Sequence, residues 1–216
     1  MLIPAFAVGR AQELLYHLHR LKAGKRIPDL PVYLDSPMAI SATEIFCRHV
    51  DAHKLTSGQC RDAFDVARYV QSPEESKAID RNAMPKIIVS ASGMATGGRV
   101  LHHLKHFAND ARNTILFSGY QAGGTRGAAM TAGAETVKIH GAYIPVRAEV
   151  DNLSMLSAHA DCDEIMGWLG HFREPPRLTF ITHGEPPAAD ALRHRIEEEL
   201  GWLCRVPEYK DTATLG

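Results

Sequence analysis

Two histidines stand where proton-transfer chemistry is often placed. His159 lies in the run Ser-Met-Leu-Ser-Ala-His-Ala-Asp that starts at Ser154, and His183 lies in Leu-Thr-Phe-Ile-Thr-His-Gly-Glu, which ends at Glu185. Asp161 and Glu164 have the Asp-x-x-Glu form of a helix start, and Ile165, Trp168, Leu169 and Phe172 follow as an apolar stripe. His159 is therefore expected at the positive end of a helix. The apolar run Leu178 to Ile181 predicts a buried strand, so His183 falls at its C-terminal end, where ligands collect in open α/β sheets. Each position has two readings, local capping or a carbonyl hydrogen bond on one side and catalysis on the other.

Two glycine-rich turns follow two expected strands. Ile87 to Val89 runs into Ser90-Ala91-Ser92-Gly93-Met94-Ala95-Thr96-Gly97-Gly98, and Thr114 to Phe117 runs into Gly119-Tyr120-Gln121-Ala122-Gly123-Gly124-Thr125-Arg126-Gly127. Such turns bring backbone N–H groups close to phosphate oxygens or simply serve tight packing. Neither has the Walker or the dinucleotide-binding spacing. His102, His103 and His106 form a separate cluster. A helical zinc-protease motif needs Glu at 103, where this chain has His, so the cluster reads as solvated or groove-facing.

The elements that must position these residues alternate. Leu2 to Val8 is expected as a buried strand, followed by a helix with Ala11, Leu14, Leu15, Leu18 and Leu21 on its apolar face. Val32 to Leu34 is the next strand, ending at Asp35-Ser36-Pro37, and Met38 to Val50 is helical. This alternation predicts a parallel sheet. Asp51 to Asn82 reads as a charged helical excursion with a helix start at Ser72-Pro73-Glu74-Glu75. Val100, Leu101, Leu104 and Phe107 line one side of the helix after the first glycine turn, Thr136 to Val150 forms a hairpin or extended pair broken at Gly141, and Leu192, Ile196 and Leu200 face inward from a last helix. Leu203 to Leu215 is expected to supply a final strand.

The 216 residues, 45% hydrophobic, can bury a sizeable core. A formal charge of -1 leaves any nucleic-acid site to a local groove. Cys47, Cys60, Cys162 and Cys204 show no Cys-x-x-Cys spacing and read as core thiols of a reducing, cytoplasmic compartment. No run reaches the roughly 20 apolar residues of a membrane helix, so no membrane partner is expected.

Ser-Ala-His-Ala-Asp followed by strand-His-Gly-Glu resembles the paired late motifs of the β-CASP branch of the metallo-β-lactamase superfamily, a group of nucleic-acid nucleases. Ile3 to Glu13, the turn Asp35-Ser36-Pro37-Met38-Ala39 and Ser92-Gly93-Met94 are also similar to family segments. The resemblance implies an α/β fold in which residues 1–150 are a parallel-sheet β-CASP domain with helices on both faces. Residues 151–216 would then be the incomplete C-terminal segment of a metallo-β-lactamase αββα domain. It implies a zinc-dependent RNA-processing nuclease with two zinc ions in the complete protein. His183 would be a metal ligand, and His159 would meet the scissile phosphate and protonate the leaving oxygen, while Ser157 would hold a phosphate oxygen. Ser92, Gly93, Gly97, Gly98, Gly123, Gly124 and Thr125 would line the wall of an RNA groove. His, where DNA-repair members carry Val, implies single-stranded RNA as the partner.

The superfamily's His-x-His-x-Asp-His motif occurs nowhere in the chain. The isolated chain is therefore expected to be inactive and without stoichiometric zinc, and to be a portion of a longer nuclease whose N-terminal part would be its partner. An apolar face left on the C-terminal segment could drive homo-oligomer formation. Two alternatives are a catalytically silent RNA-binding or scaffolding β-CASP partner and an unrelated flavodoxin-like nucleotide-binding domain, which would not explain the pairing of His159 with His183.

Overall fold

Short apolar strands buried on both faces organise the first part of the chain. The computed structural model describes residues 1–214. Strands β1 (Leu2–Pro4), β2 (Val32–Asp35), β3 (Ala67–Tyr69), β4 (Ile87–Ser90), β5 (Thr114–Phe117) and β8 (Glu149–Asn152) form one parallel sheet in the order β3-β2-β4-β1-β5-β8. Successive side chains go to opposite faces. Ile3, Val32, Leu34, Ile87 and Val89 enter one core with Leu14, Leu15 and Leu18 of α1 (Arg10–Ala23), with α2 (Pro37–Arg48) and with α3 (Ser57–Phe64). Leu2, Ile88, Ile115 and Phe117 enter a second core on the other face, against α4 (Pro73–Arg81), α5 (Val100–Phe107) and α6 (Arg126–Thr131). Both faces are thus covered by helices, as expected for apolar parallel strands.

Local signals set the helix starts. Ser36 caps α2 by accepting from the Ala39 N–H at 3.2 Å, with Pro37 at the first helical position. Ser72 and Glu75 form a reciprocal capping box at the start of α4. A hairpin of β6 (Thr136–Ile139) and β7 (Ala142–Pro145) turns at His140 and Gly141, both at positive φ.

Several expectations need correction. The first strand stops at Pro4, and Phe6 and Val8 are exposed because the chain leaves the sheet before Gly9. The excursion from Asp51 to Asn82 contains the edge strand β3, whose three residues are too few to show alternation. Leu21 lies at the rim of α1, 36% exposed.

The chain divides into two units, Met1–Leu156 and a second from Ser157 onward. The sheet therefore takes in β8, which straddles residue 150. The second unit contains α7 (Cys162–Leu169), β9 (Thr179–Phe180), α8 (Pro186–Leu200) and β10 (Cys204–Arg205), with β9 and β10 paired in parallel. Met166, Leu169, Ile181, Ala189, Ile196, Trp202 and Cys204 form its small core. The stripe anticipated on α7 is only half correct: Trp168 is 64% exposed and Phe172 48%. The last strand is confined to Cys204–Arg205, and Leu215 lies outside the described residues. All four cysteines are free thiols, Cys60 and Cys204 buried, but Cys162 is exposed at the first position of α7.

Candidate functional site

The two glycine turns come together at the C-terminal edge of the six-stranded sheet. The Gln121 amide nitrogen donates to the carbonyls of Gly93 and Gly119, each at 3.2 Å, and the Gly127 N–H donates to Met94 O at 3.1 Å. Arg126 reaches Ala95 O and Thr96 O at 3.3 and 3.4 Å. Ser92 closes its own turn, its hydroxyl accepting from the Thr96 N–H at 3.1 Å and pairing with the Thr96 hydroxyl. Thr125 is a helix cap: its hydroxyl accepts from Ala128 N–H and donates to Ala122 O at 2.6 Å.

The glycines separate by what a side chain would meet. A Cβ at Gly93 would lie 2.9 Å from Phe6 Cδ2, and one at Gly98, where φ is +74°, 2.5 Å from Ala91 O. Packing alone requires glycine at these two positions. Gly97 and Gly124 have no atom within 4 Å of such a Cβ, so open space lies above their backbone. Gly124 takes a left-handed φ of +80°. Gly123 lies beside it in the same turn.

Beneath the first turn is a buried ionic network that the sequence reading missed. Arg99, directly after Gly98, donates to Asp35 Oδ1 at 2.5 Å, to Val70 O at 3.0 Å and to Gln71 O at 2.7 Å. His103 lies between two carboxylates, Nε2 at 2.8 Å from Asp35 Oδ2 and Nδ1 at 2.5 Å from Asp80 Oδ1. Ser76 also donates to Asp35. The His103 and Asp35 side chains are completely buried. Burial pushes the His103 imidazole down, but its hydrogen bonds to Asp35 and Asp80, with their charges, outweigh it and raise its pKa to about 9. Burial pushes the Asp35 carboxyl up, and hydrogen bonds from His103, Ser76 and Arg99 outweigh that and hold it below its usual range. With both ring nitrogens facing carboxylates, His103 is an imidazolium donating in both directions. A signal existed in the sequence. Position 103 falls within the stripe Val100, Leu104, Phe107, where a polar residue must find partners.

In the second unit, Asp161 and Glu164 form the expected capping box, at 2.9 and 3.0 Å. His159 precedes it in an exposed loop, its N–H donating to the Ser157 hydroxyl at 3.2 Å. That hydroxyl keeps its proton for another acceptor. His183 follows β9, exposed, at φ +70°. An exposed imidazole at a helix start can offer or take a proton beside an anion, and one at a strand end can ligate a metal.

Among the described residues no group of three or more His, Cys, Asp or Glu side chains could hold a metal ion. His183 by itself does not make up the nearly complete shell of a hydrolytic zinc site, so the residues present do not fit a dinuclear centre by themselves. Among the described residues no helix is long and apolar enough to cross a membrane.

The parallel sheet with helices on both faces is followed along the chain by the segment that carries His159 and His183. Residues 11–130 match the Beta-Casp domain, and residues 143–207 match the Zn-dependent metallo-hydrolase RNA specificity domain. The chain belongs to the β-CASP family of metallo-β-lactamase-fold nucleases. It is 42% identical to ribonuclease TTHA0252 of Thermus thermophilus over 201 residues, covering 89% of this chain and 44% of that protein. With the transcription termination factor FttA of Methanosarcina mazei it shares 33% identity over 225 residues, 99% of this chain and 35% of the relative. An RNase J-like protein of Methanocaldococcus jannaschii is 30% identical over 186 residues, 86% and 43% of the two chains. The chain thus spans less than half the length of these relatives.

Proposed function

We propose that these residues are the β-CASP domain and the C-terminal metallo-hydrolase segment of a longer, zinc-dependent, cytoplasmic ribonuclease. The observation that carries the reading is the pairing of His159 and His183, both exposed, in a segment that matches the metallo-hydrolase RNA specificity domain. His183 would be one zinc ligand in the complete protein, where zinc would supply an activated hydroxide, and the remaining ligands would come from outside these residues. His159 donates a proton to the leaving oxygen of the RNA, and Ser157 holds a phosphate oxygen. On the insert, the open backbone at Gly97 and Gly124 suits contact with RNA phosphates. Gly123, Ser92 and Thr125 shape the turns beside it, and Gly93 and Gly98 allow the packing that holds them. Single-stranded RNA is the substrate. Relatives named transcription termination factor support a second reading, in which the complete protein acts on a nascent transcript.

The test is a comparison of the complete parent protein on single-stranded RNA and on DNA of the same sequence. RNA should be cleaved faster, and equal or faster DNA cleavage would refute the substrate assignment.

A further inference from the structure

Helices α4 and α5 run side by side, and the groove between them encloses about 520 Å³. Lys77 and Asp80 face it from α4, and Arg99, His102, Lys105 and His106 from the start and body of α5. The same helical spacing that turns His103 toward the sheet leaves His102 and His106, one turn apart, on the outer face. Both imidazoles are exposed, as are Lys77 and Lys105.

Charge in the groove is one-sided. Asp80 is the carboxylate lining it among the described residues, and it is engaged by His103 with a side chain only 14% exposed. Asp35, beneath the groove, is taken up by Arg99, Ser76 and His103. Glu75, on α4, accepts from the N–H groups of Gln71 and Ser72 at the helix start. Arg99 and charged His103 balance Asp35 and Asp80, which leaves Lys77 and Lys105 uncompensated on the two walls. The groups around His102 and His106 are Lys77 and Asp80 of α4, Arg99 and Lys105 of α5 and its start, the buried His103, and His140 after β6, whose ring centre lies 4.9 Å from that of His102. On its other side His106 borders a hollow lined by Arg81, Lys86 and the ion pair of Asp110 with Arg112.

We propose that the α4–α5 groove is a binding site for phosphate-bearing anions, held by Lys77 and Lys105 from opposite walls, with the exposed imidazoles of His102 and His106 beside them on α5. Inorganic pyrophosphate and the backbone of single-stranded RNA present this same chemistry. The proposal goes beyond the nuclease reading and stands or falls separately from it, because its readout is anion binding.

The experiment titrates the full 216-residue chain with inorganic pyrophosphate, and separately with a single-stranded RNA oligonucleotide, by calorimetry at one fixed pH and low salt. Pyrophosphate should bind measurably. Lys77→Glu with Lys105→Glu should weaken it by about ten-fold or more, and the neutral pair Lys77→Gln with Lys105→Gln by less, with the far-UV circular dichroism unchanged. If RNA is the occupant, both lysine pairs should also weaken RNA binding, and the neutral pair should lower the log–log salt slope by about 1.4. Loss of pyrophosphate binding with unchanged RNA binding would identify a small phosphate-bearing ligand as the occupant. Undetectable pyrophosphate binding, or binding that is indifferent to both lysine pairs, would overturn the site.

Discussion

The most direct test of the structure is to remove the charge buried beneath the first glycine turn. His103 is fully buried between Asp35 and Asp80, with a pKa raised from 6.5 to about 9. A group whose folded-state pKa is raised contributes stability that is complete below the unfolded value and is lost as pH rises through the folded one. The window is therefore pH 6.5 to about 9. At about 1.4 kcal/mol for each tenfold change in proton affinity, that rise corresponds to about 3 kcal/mol. Because the imidazole has no exposed surface, solvent screening does not reduce this figure appreciably. His103→Gln keeps a donor for one carboxylate but does not titrate. Urea unfolding of the first unit, followed by far-UV circular dichroism, should show wild-type stability falling by about 3 kcal/mol across the window, and the variant falling by much less. Trp168 and Trp202 both lie in the second unit, so tryptophan fluorescence reports that unit separately and should show little difference between the two proteins. Equal slopes for wild type and variant across the window would refute the assignment of His103 as a buried imidazolium. On the acid side, Asp35 is held below its ordinary 3.8, so its contribution is present above that value and disappears as pH falls through the folded one.

The glycines should separate in the same assay. Gly98→Ala, forced into left-handed backbone against Ala91 O, should cost about 2 kcal/mol or more, and Gly97→Ala no more than about 0.5 kcal/mol; equal costs would mean that the first turn is not packed as described. In the complete parent protein His183→Ala should lower zinc content as well as rate, while His159→Ala should lower turnover by about 10² to 10⁴-fold with zinc retained. Metal analysis in which both variants lose zinc equally would reverse the two roles. The isolated chain should carry no stoichiometric zinc and cleave no RNA; chelator-sensitive cleavage with bound zinc would require a metal site among its other histidines.

The sheet was legible because the buried strands carry apolar runs and the helices between them carry apolar stripes or start signals. Ser72 and Asp161 cap the helices that their spacing implies, and Ser36 caps a third, without having been anticipated as a cap. What escaped was short or depended on distant partners. β3 has three residues and takes its place from β2, a long-range pairing with no local trace. Phe6 and Val8 belong to an apolar run that outlasts its strand, since nothing in composition marks where the chain turns out of a sheet. On α7 the spacing located the helix and the inward Ile165 and Leu169, but Trp168 and Phe172 stay exposed, linked by edge-to-face ring contacts to each other and, from Phe172, to the buried Trp202.

The candidate site divides along the same line. His159, His183 and the glycine turns stand out because each sits at the end of an element, where sequence signals are dense. Asp35, Arg99 and His103 do not, because Asp35 and His103 are 68 residues apart and meet only after β2 and α5 have packed on the sheet. Yet this network fixes the end of the first turn: Arg99 follows Gly98 directly, and three oxygens from Asp35, Val70 and Gln71 hold its guanidinium. With Gly93 packed against Phe6 and Gly98 against Ala91, that turn is held from below and at both ends, and the backbone at Gly97 is left facing open space. A rigid turn with an open backbone suits recognition of an anion, since little ordering remains to be done when the ligand arrives. Removing Asp35 should therefore loosen the turn as well as destabilise the core, because Arg99 and His103 would lose the carboxylate they share.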